Sequence, residues 1–182
     1  MRQLPTLKTG RLVLRPFLLS DAATVRHLAG DRAVADTTLS IPHPYLEGMA
    51  EQWIATHEGA WTRHEMATFA ITEPEAGLVG AISLRIELSH RRAEMGYWIG
   101  VPYWGLGYAT EAGRAMVAFG FGKLGLQRIY AHHFVRNPAS GRVMAKLGMQ
   151  REGTWRRHFY RWDQPEDVAA WGLLRADTAG EP

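Results

Sequence analysis

One stretch of the chain, residues 94–125, constrains the fold more than any other. Its first part, residues 94–101, is rich in β-forming residues on both alternating faces and predicts a buried strand. A turn containing Gly105 and Gly107 follows, and small or apolar residues at helical spacing then predict a helix that ends near Gly125. Glycines before a helix leave backbone N–H groups unshielded. With the positive end of the helix dipole, these groups suit an anion such as phosphate.

Four interpretations of this turn compete. A P-loop needs Lys followed by Ser or Thr after the second glycine, where Tyr108 and Ala109 stand. A dinucleotide fingerprint needs a third small residue where Thr110 stands, and an acid about 20 residues further on, after a second strand. Residues 128–135 do predict that strand, but they carry no acid. Two interpretations are left: the pyrophosphate grip of an acyl-CoA-dependent acyltransferase, or a loop that only turns the chain.

The sequence downstream of the turn favours the acyltransferase. Residues 137–149 read NPASGRVMAKLGM, and together with WGLGYATEA at residues 104–112 they resemble the GNAT superfamily of N-acetyltransferases. The closest branch is the RimJ/RimL-like one, the ribosomal-protein N-terminal acetyltransferases and their relatives. The opening GRLVLRP, the segment IPHPY and the closing GLLR also look like that branch. The resemblance covers roughly residues 8–176, and the combination of motifs is specific although each alone is weak.

The order of the predicted elements indicates an α/β (α+β) domain with a mixed sheet and helices on both faces. The resemblance implies the GNAT fold, with a central twisted sheet of six to seven strands. The length fits one domain, over residues 1–182. The predicted strands are 11–16, 66–72, 78–86, 94–101, 128–135, 150–160 and 167–175. The predicted helices are 21–29, 47–64, 109–125 and 138–147, with a loop at 30–45 and a hairpin turn at 163–165.

Composition excludes several classes of function. The chain has no cysteine, which removes disulfides, thiolate metal sites and a cysteine nucleophile, and makes a cytoplasmic location the default expectation. We expect no membrane segment, because no window of about 18 residues is apolar and free of charge. His132 and His133 are adjacent on a strand, so they point to opposite faces and cannot form a facing metal pair; we expect no metal.

Charge gives a weaker indication of partners. The net charge of +3 suits an acidic ligand such as coenzyme A, and is too small to imply nucleic acid. The run at residues 151–162 interleaves basic and aromatic side chains as an RNA-binding surface does. A hairpin with a charged outer face explains that run more simply, so we expect no nucleic-acid partner. Whether the chain forms a homodimer is open.

The resemblance implies acetyl-CoA as the cosubstrate. Its pyrophosphate would be held by the backbone amides of the turn, at Trp104, Gly105, Leu106, Gly107, Tyr108, Ala109 and Thr110. The chain departs from the family at Pro102, where many members carry Gln or Arg. Asn137 is expected to cap the next helix and touch the pantetheine arm. Arg142 and Lys146 either pair with CoA phosphates or are solvated charges.

Acyl transfer also needs a base for the acceptor amine. Glu94 resembles, by position, the strand carboxylate that serves as base in several GNAT enzymes. The alternative is a structural glutamate paired with Arg91 or Arg92. Some RimL-like relatives use a carboxylate in a later hairpin, but the matching residues 156–159 contain none.

Two further roles follow from the resemblance. A backbone N–H near Trp98 and Ile99 would stabilise the charge on the acetyl oxygen. Ser140 matches the serine of the family's N-x-x-S motif, which is proposed to protonate the leaving thiolate; the alternative is a local capping hydroxyl.

The acceptor is less constrained. His43, Tyr45 and Trp53 are candidates to line its cleft, although such aromatic residues more often belong to the core. A protein α-amine has a pKa near 8, against about 10.4 for lysine, so a modest base suffices for it. The family resemblance and this pKa argument together favour a protein N-terminus, with a small amine (polyamine, aminoglycoside or amino acid) as the alternative. The alternative from another class is a non-catalytic acyl-CoA- or RNA-binding module on the same fold.

Overall fold

We describe the fold from a computed structural model, which covers residues 3–178. The strands are β1 (Leu7–Lys8), β2 (Val13–Arg15), β3 (Met66–Glu73), β4 (Gly77–Glu87), β5 (Arg92–Ile99), β6 (Arg128–Phe134), β7 (Gln150–Arg161) and β8 (Gln164–Leu174). The helices are α1 (Ala22–Ala29), α2 (Arg32–Asp36), α3 (Met49–Thr62), α4 (Tyr108–Gly122) and α5 (Pro138–Lys146). Within this part of the chain no helix is long and apolar enough to span a membrane.

All eight strands form one mixed sheet in the order β1-β2-β3-β4-β5-β6-β8-β7. Every neighbouring pair is antiparallel except β5 and β6, which run parallel. The predicted mixed sheet with helices on both faces is confirmed. It has one strand more than the upper predicted number, because the two-residue β1 pairs with β2.

Two apolar clusters cover the two faces of the sheet. One contains the buried side of α4 and part of α5, and the other contains α1, α2 and α3. The central strand β5 contributes to both, since Met95 and Ile99 lie in the α4 cluster and Trp98 lies in the other. A strand buried on both faces needs apolar residues at successive positions, which is why this stretch stood out in the sequence.

Two glycines let helix α4 pack closely, Gly120 against the sheet and Gly113 against the end of α5. A Cβ at Gly120 would meet Ile129 Cδ1 at 2.8 Å, and one at Gly113 would meet Leu147 Cδ1 at 2.7 Å. The helix ends at Gly122, short of the predicted Gly125, which lies in the following turn with φ of 66°.

Two local predictions were wrong. Residues 30–45 were expected to be loop only, but α2 forms there because Asp31 caps it with a 2.8 Å bond from Ala33 N–H and two of its residues are buried. The β7–β8 turn lies at Trp162 and Asp163, both with positive φ, rather than at residues 163–165. A two-residue hairpin turn with positive φ at both positions matches the right-handed twist of the strands that it joins.

His57 on α3 is a histidine without polar partners. Neither ring nitrogen has a hydrogen-bond partner among residues 3–178, and the ring packs against Phe17 and Trp53. Burial lowers the pKa of His57 to about 4. Below about pH 6.5, His57 therefore binds a proton in the unfolded chain but stays neutral in the folded chain until the pH approaches 4.

We predict that His57 makes folding stability fall as the pH drops from 6.5 towards 4. A shift of this size corresponds to about 3 kcal/mol in the free energy of unfolding. Urea unfolding of the His57→Phe variant at several pH values should lose this part of the pH dependence. The exposed His27 provides the control, because His27→Phe should keep it. An unchanged pH dependence in His57→Phe would contradict the assignment.

Candidate active site

A cleft of 1020 Å³ runs across the sheet between α3, α4 and α5. It brings together nearly all the residues singled out from the sequence. These are Tyr45, Trp53, Glu94, Trp98, Ile99, Trp104, Gly105, Gly107, Tyr108, Ala109, Thr110, Asn137, Ser140, Arg142 and Lys146. Of the predicted set, only His43 and Leu106 do not line it.

The cleft is centred on an opening between β5 and β6. Their parallel pairing stops after three residue pairs, the last being Glu94 with Tyr130, while β5 continues to Ile99. Gly100 N–H donates to Val79 on the β4 side. Because successive residues of a strand direct their backbone groups to opposite sides, the odd-numbered residues of β5 face the opening.

This alternation corrects one prediction. The amide of Trp98 faces β4, since its position is in phase with Gly100, so it cannot serve the opening. The amides of Tyr97 and Ile99 face the opening instead. Of the two predicted donors, only the Ile99 amide faces the opening, and the Tyr97 amide is a second donor there.

The Gly-rich turn is built as an N-terminal anion site. Gly107 precedes α4 with φ of 83°, in the left-handed region that favours glycine, and no side chain caps the helix. The first amides of α4 are thus left for another acceptor. The indole Nε1 of Trp104 donates to Ile99 O at 2.6 Å and ties the turn to the end of β5. The backbone N–H of Trp104 donates to Val101 O at 3.2 Å, so the prediction that this amide binds pyrophosphate was wrong.

An arginine from the start of the chain clamps this turn. Arg11 Nε donates to Glu111 Oε2 at 2.8 Å, and its NH1 donates to Leu106 O at 3.0 Å. Its guanidinium also lies over the Tyr108 ring. Thr9 Oγ1 donates to the same Glu111 carboxylate at 2.6 Å. The Leu106 carbonyl is therefore turned towards Arg11, and the exposed Leu106 side chain does not line the cleft.

Helix α5 places a hydroxyl beside β5. Asn137 accepts the Ser140 N–H as predicted for a cap, at 3.4 Å. Gly141 lets the helix approach the sheet, because a Cβ there would meet His133 Nε2 at 2.8 Å. Ser140 Oγ then lies 2.7 Å from the Tyr97 hydroxyl. Burial raises the pKa of Tyr97 to about 12, although its hydrogen bond with Ser140 opposes the shift, so Tyr97 keeps its proton at neutral pH.

Glu94 lies on the other face of β5, beside His132. Its Oε1 is 3.2 Å from His132 Nδ1, a close contact that does not have hydrogen-bond geometry. Burial lowers the pKa of His132, although the nearby Glu94 carboxylate opposes the shift, so the imidazole is neutral at pH 7. The alternative partner Arg92 pairs with Glu87 instead. The cleft thus holds a carboxylate next to a neutral imidazole.

The wall of the cleft on the α3 side includes Tyr45 and Trp53 but not His43. The exposed His43 ring lies 3.0 Å from Gly30 O through Nδ1, so the prediction that it lines the acceptor cleft was wrong. A buried arginine holds this wall in place. Arg161 donates to the carbonyls of Ala35, Leu39 and Ile41, and so ties the β7–β8 hairpin to the segment after α2.

Three residues of the site were not predicted from the sequence: Arg11, Tyr97 and His132. Their only sequence signals were the arginine of the opening motif and a tyrosine and a histidine on predicted strands. Each acts through a partner distant in the chain, which no local pattern reveals. Arg142 and Lys146 line the cleft and are exposed, a placement that fits both interpretations, charges for an anionic ligand or solvated charges. Among residues 3–178 no group of side chains forms a metal site.

Comparison with known proteins agrees with this geometry. Residues 11–150 match the acetyltransferase (GNAT) domain family. The chain is 31% identical over 178 residues to the uncharacterized N-acetyltransferase YoaA of Bacillus subtilis, covering 94% of this chain and 97% of that protein.

Solved structures show the same fold. RimL, a ribosomal L7/L12 alpha-N-protein acetyltransferase in complex with coenzyme A, superposes with a TM-score of 0.84 at 16% identity, over 93% of this chain and 98% of its own. Spermidine N-acetyltransferase from Vibrio cholerae, in complex with CoA and spermine, superposes with a TM-score of 0.81 at 22% identity, over 94% and 99%.

We predict that Arg11→Met weakens coenzyme A binding by about threefold to tenfold, because the Gly-rich turn is no longer held in one geometry. Isothermal titration with coenzyme A measures this directly. The exposed Arg63, which pairs with Glu65 outside the cleft, provides a matched control in Arg63→Met. Equal affinity for the two variants would contradict a positioning role for Arg11.

Proposed function

The chain belongs to the GNAT acetyltransferase family as an acetyl-CoA-dependent N-acetyltransferase, and we propose that its acceptor is a protein or peptide N-terminal α-amine, as in the RimJ/RimL-like branch. The observation that carries this proposal is the contact between Glu94 and the neutral His132 in the cleft. The carboxylate and the neutral imidazole are both side-chain groups that can accept a proton. Such groups suit an α-amine with a pKa near 8 better than a lysine-type amine near 10.4.

The two sides of the reaction come from opposite faces of the sheet. Glu94 and His132 lie on the face covered by α1–α3, whereas Tyr97 and Ser140 lie on the face covered by α4 and α5. The opening between β5 and β6 joins the two faces. An amine held at Glu94 can therefore reach a thioester held at Ser140 directly, and no acyl-enzyme is needed.

On the acceptor side, the Glu94–His132 pair takes the proton that the ammonium must lose before attack. A bond then forms between the amine nitrogen and the acetyl carbon. Negative charge develops on the acetyl oxygen, and the amides of Tyr97 and Ile99 are the donors that face it across the opening. The second proton of the nitrogen is lost as the amide forms.

On the donor side, the carbon–sulfur bond breaks and the thiolate takes up one proton. Ser140 supplies the hydrogen bond to this sulfur. Either hydroxyl can be the donor in the contact between Tyr97 and Ser140. The Tyr97 hydroxyl stays protonated, and we assign it as the donor to Ser140 Oγ, which leaves the serine hydroxyl hydrogen directed at the cleft. In sum an ammonium and a thioester become an amide, a thiol and one proton.

We place the phosphates of the coenzyme at the end of the cleft formed by the Gly-rich turn and α5. The uncapped amides at the start of α4 are donors for pyrophosphate, and Arg142 and Lys146 supply positive charge nearby. Pro102 contributes no amide here, and the Trp104 N–H already donates to Val101 O at 3.2 Å. Binding therefore depends on the amides from Gly105 to Thr110.

We predict that Glu94→Gln lowers kcat/KM for the acceptor by about 10²–10⁴ and leaves coenzyme A affinity unchanged, since the amide cannot take a proton. The assay is mass spectrometry after incubation with acetyl-CoA and a panel of free and blocked peptides, polyamines and aminoglycosides. Glu65→Gln, outside the cleft, is the control. Acetylation of small amines alone would overturn the proposed acceptor. Full activity in Glu94→Gln would overturn the proposed base.

A second prediction concerns Tyr97 and Ser140. Tyr97→Phe should lower kcat about tenfold through loss of the oriented serine hydroxyl, with the Kd for coenzyme A nearly unchanged. In the Ser140→Ala background the same substitution should have almost no further effect, because residues that act as a unit are not additive. Independent effects of the two substitutions would contradict the coupling between the hydroxyls.

A further inference from the structure

Arg85 is a positive charge inside the acceptor end of the cleft. It lies in the middle of β4, directly across the ladder from Glu94 on β5, and lines the cleft. Residues opposite each other in a hydrogen-bonded antiparallel pair have Cα atoms about 5.5 Å apart and side chains on the same face. Arg85 and Glu94 therefore project together towards the bound acceptor.

Arg85 has no ion-pair partner within residues 3–178. Opposite charges in this cross-strand position ordinarily attract each other. Here Glu94 contacts His132 instead, and no nitrogen of Arg85 lies within ion-pair distance of a carboxylate. Two other arginines on the sheet, Arg92 and Arg128, do form ion pairs, with Glu87 and Glu152. Arg85 is exposed and is thus free to bind a group of the acceptor.

The space beside this pair is open. Gly96 follows Glu94 on the same face of β5, is exposed, and has only Ser83 Oγ near the position of a Cβ, at 3.7 Å. With no side chain at this position, an acceptor backbone can lie flat over the strand. Its amine then reaches Glu94 while a neighbouring group reaches Arg85.

The charges of the cleft discriminate between acceptors. Among the described residues that line it, Glu94 is the sole carboxylate, whereas Arg85, Arg142 and Lys146 are positive. A polyamine would place its second ammonium without a carboxylate partner and close to Arg85. An acceptor with an anion near its amine would satisfy both Glu94 and Arg85.

We propose that Arg85 binds a carboxylate of the acceptor, so that the substrates are α-amines with a carboxylate a few bonds from the nitrogen. This rests on the proposed function and narrows its substrate class. The carboxylate belongs to an acidic first residue of a peptide or to a free amino acid, two sources of one chemistry. Arg85 is a specificity residue and takes no part in proton transfer.

The test compares acceptors that differ only in this charge. Two peptides identical except for Asp or Asn as first residue are assayed with acetyl-CoA, together with free aspartate and its diamide. We expect at least a tenfold preference in kcat/KM for the carboxylate member. Arg85→Gln should reduce the preference to about one, and Arg85→Glu should reverse it. Arg114→Gln, the same charge change at an exposed position of α4 outside the cleft, should leave it intact.

The outcomes separate this inference from the proposed function. Equal turnover of Asp and Asn peptides, unchanged in Arg85→Gln, overturns the role of Arg85 and leaves α-amine acetylation standing. If free aspartate is acetylated and the Asp peptide is not, the role of Arg85 stands, and the acceptor is an amino acid in place of a protein. If no α-amine is acetylated, the proposed function fails. In that case calorimetry measures the Kd values of the Asp and Asn peptides for the coenzyme A-bound protein. If the Asp peptide binds wild type and Arg85→Gln with the same Kd, the inference on Arg85 is overturned.

Discussion

The site depends on the hydrogen bonds that β5 and β6 do not make with each other. After Glu94 the two strands part, and the backbone amides of Tyr97 and Ile99 face a gap instead of a neighbouring strand. Unpaired amides in a sheet interior are costly unless something else bonds to them. A cleft that admits a polar ligand at this point satisfies that requirement. The same gap joins the two faces of the sheet, which allows donor and acceptor to approach from opposite sides.

Close packing sets the distances around this gap. The glycines of α4 and α5 let both helices approach the sheet, and the approach at Gly141 brings Ser140 within 2.7 Å of Tyr97. Hydrogen bonds from two arginines then hold the loops around the gap in place. Arg11 clamps the Gly-rich turn, and Arg161 holds the acceptor wall through three carbonyls. The chemistry is local, yet the residues that position it come from both ends of the chain.

Much of the architecture follows from local patterns. The strand, the Gly-rich turn and the helix were predictable between residues 92 and 122. A strand buried on both faces needs apolar residues at successive positions, and a turn with positive φ before an uncapped helix needs glycine. The Asn137 cap was predictable for the same reason. Helix α2 was not, since a helix of five residues has too few apolar positions to show a period. The β7–β8 turn was misplaced because Pro165 suggested a turn. In the structure Pro165 lies in β8, opposite Tyr160 of β7.

The sequence by itself determined the family, the mixed fold, and the candidates for the coenzyme and the base, because these are carried by contiguous motifs with fixed spacing. Tertiary structure alone decided which partners those candidates have. Glu94 contacts His132 and not Arg92, Ser140 contacts Tyr97, and Arg85 has no ion-pair partner among residues 3–178. Such pairings depend on strand register and on where two strands part. Register is a property of the assembled sheet, since a shift of one residue would move every side chain to the other face.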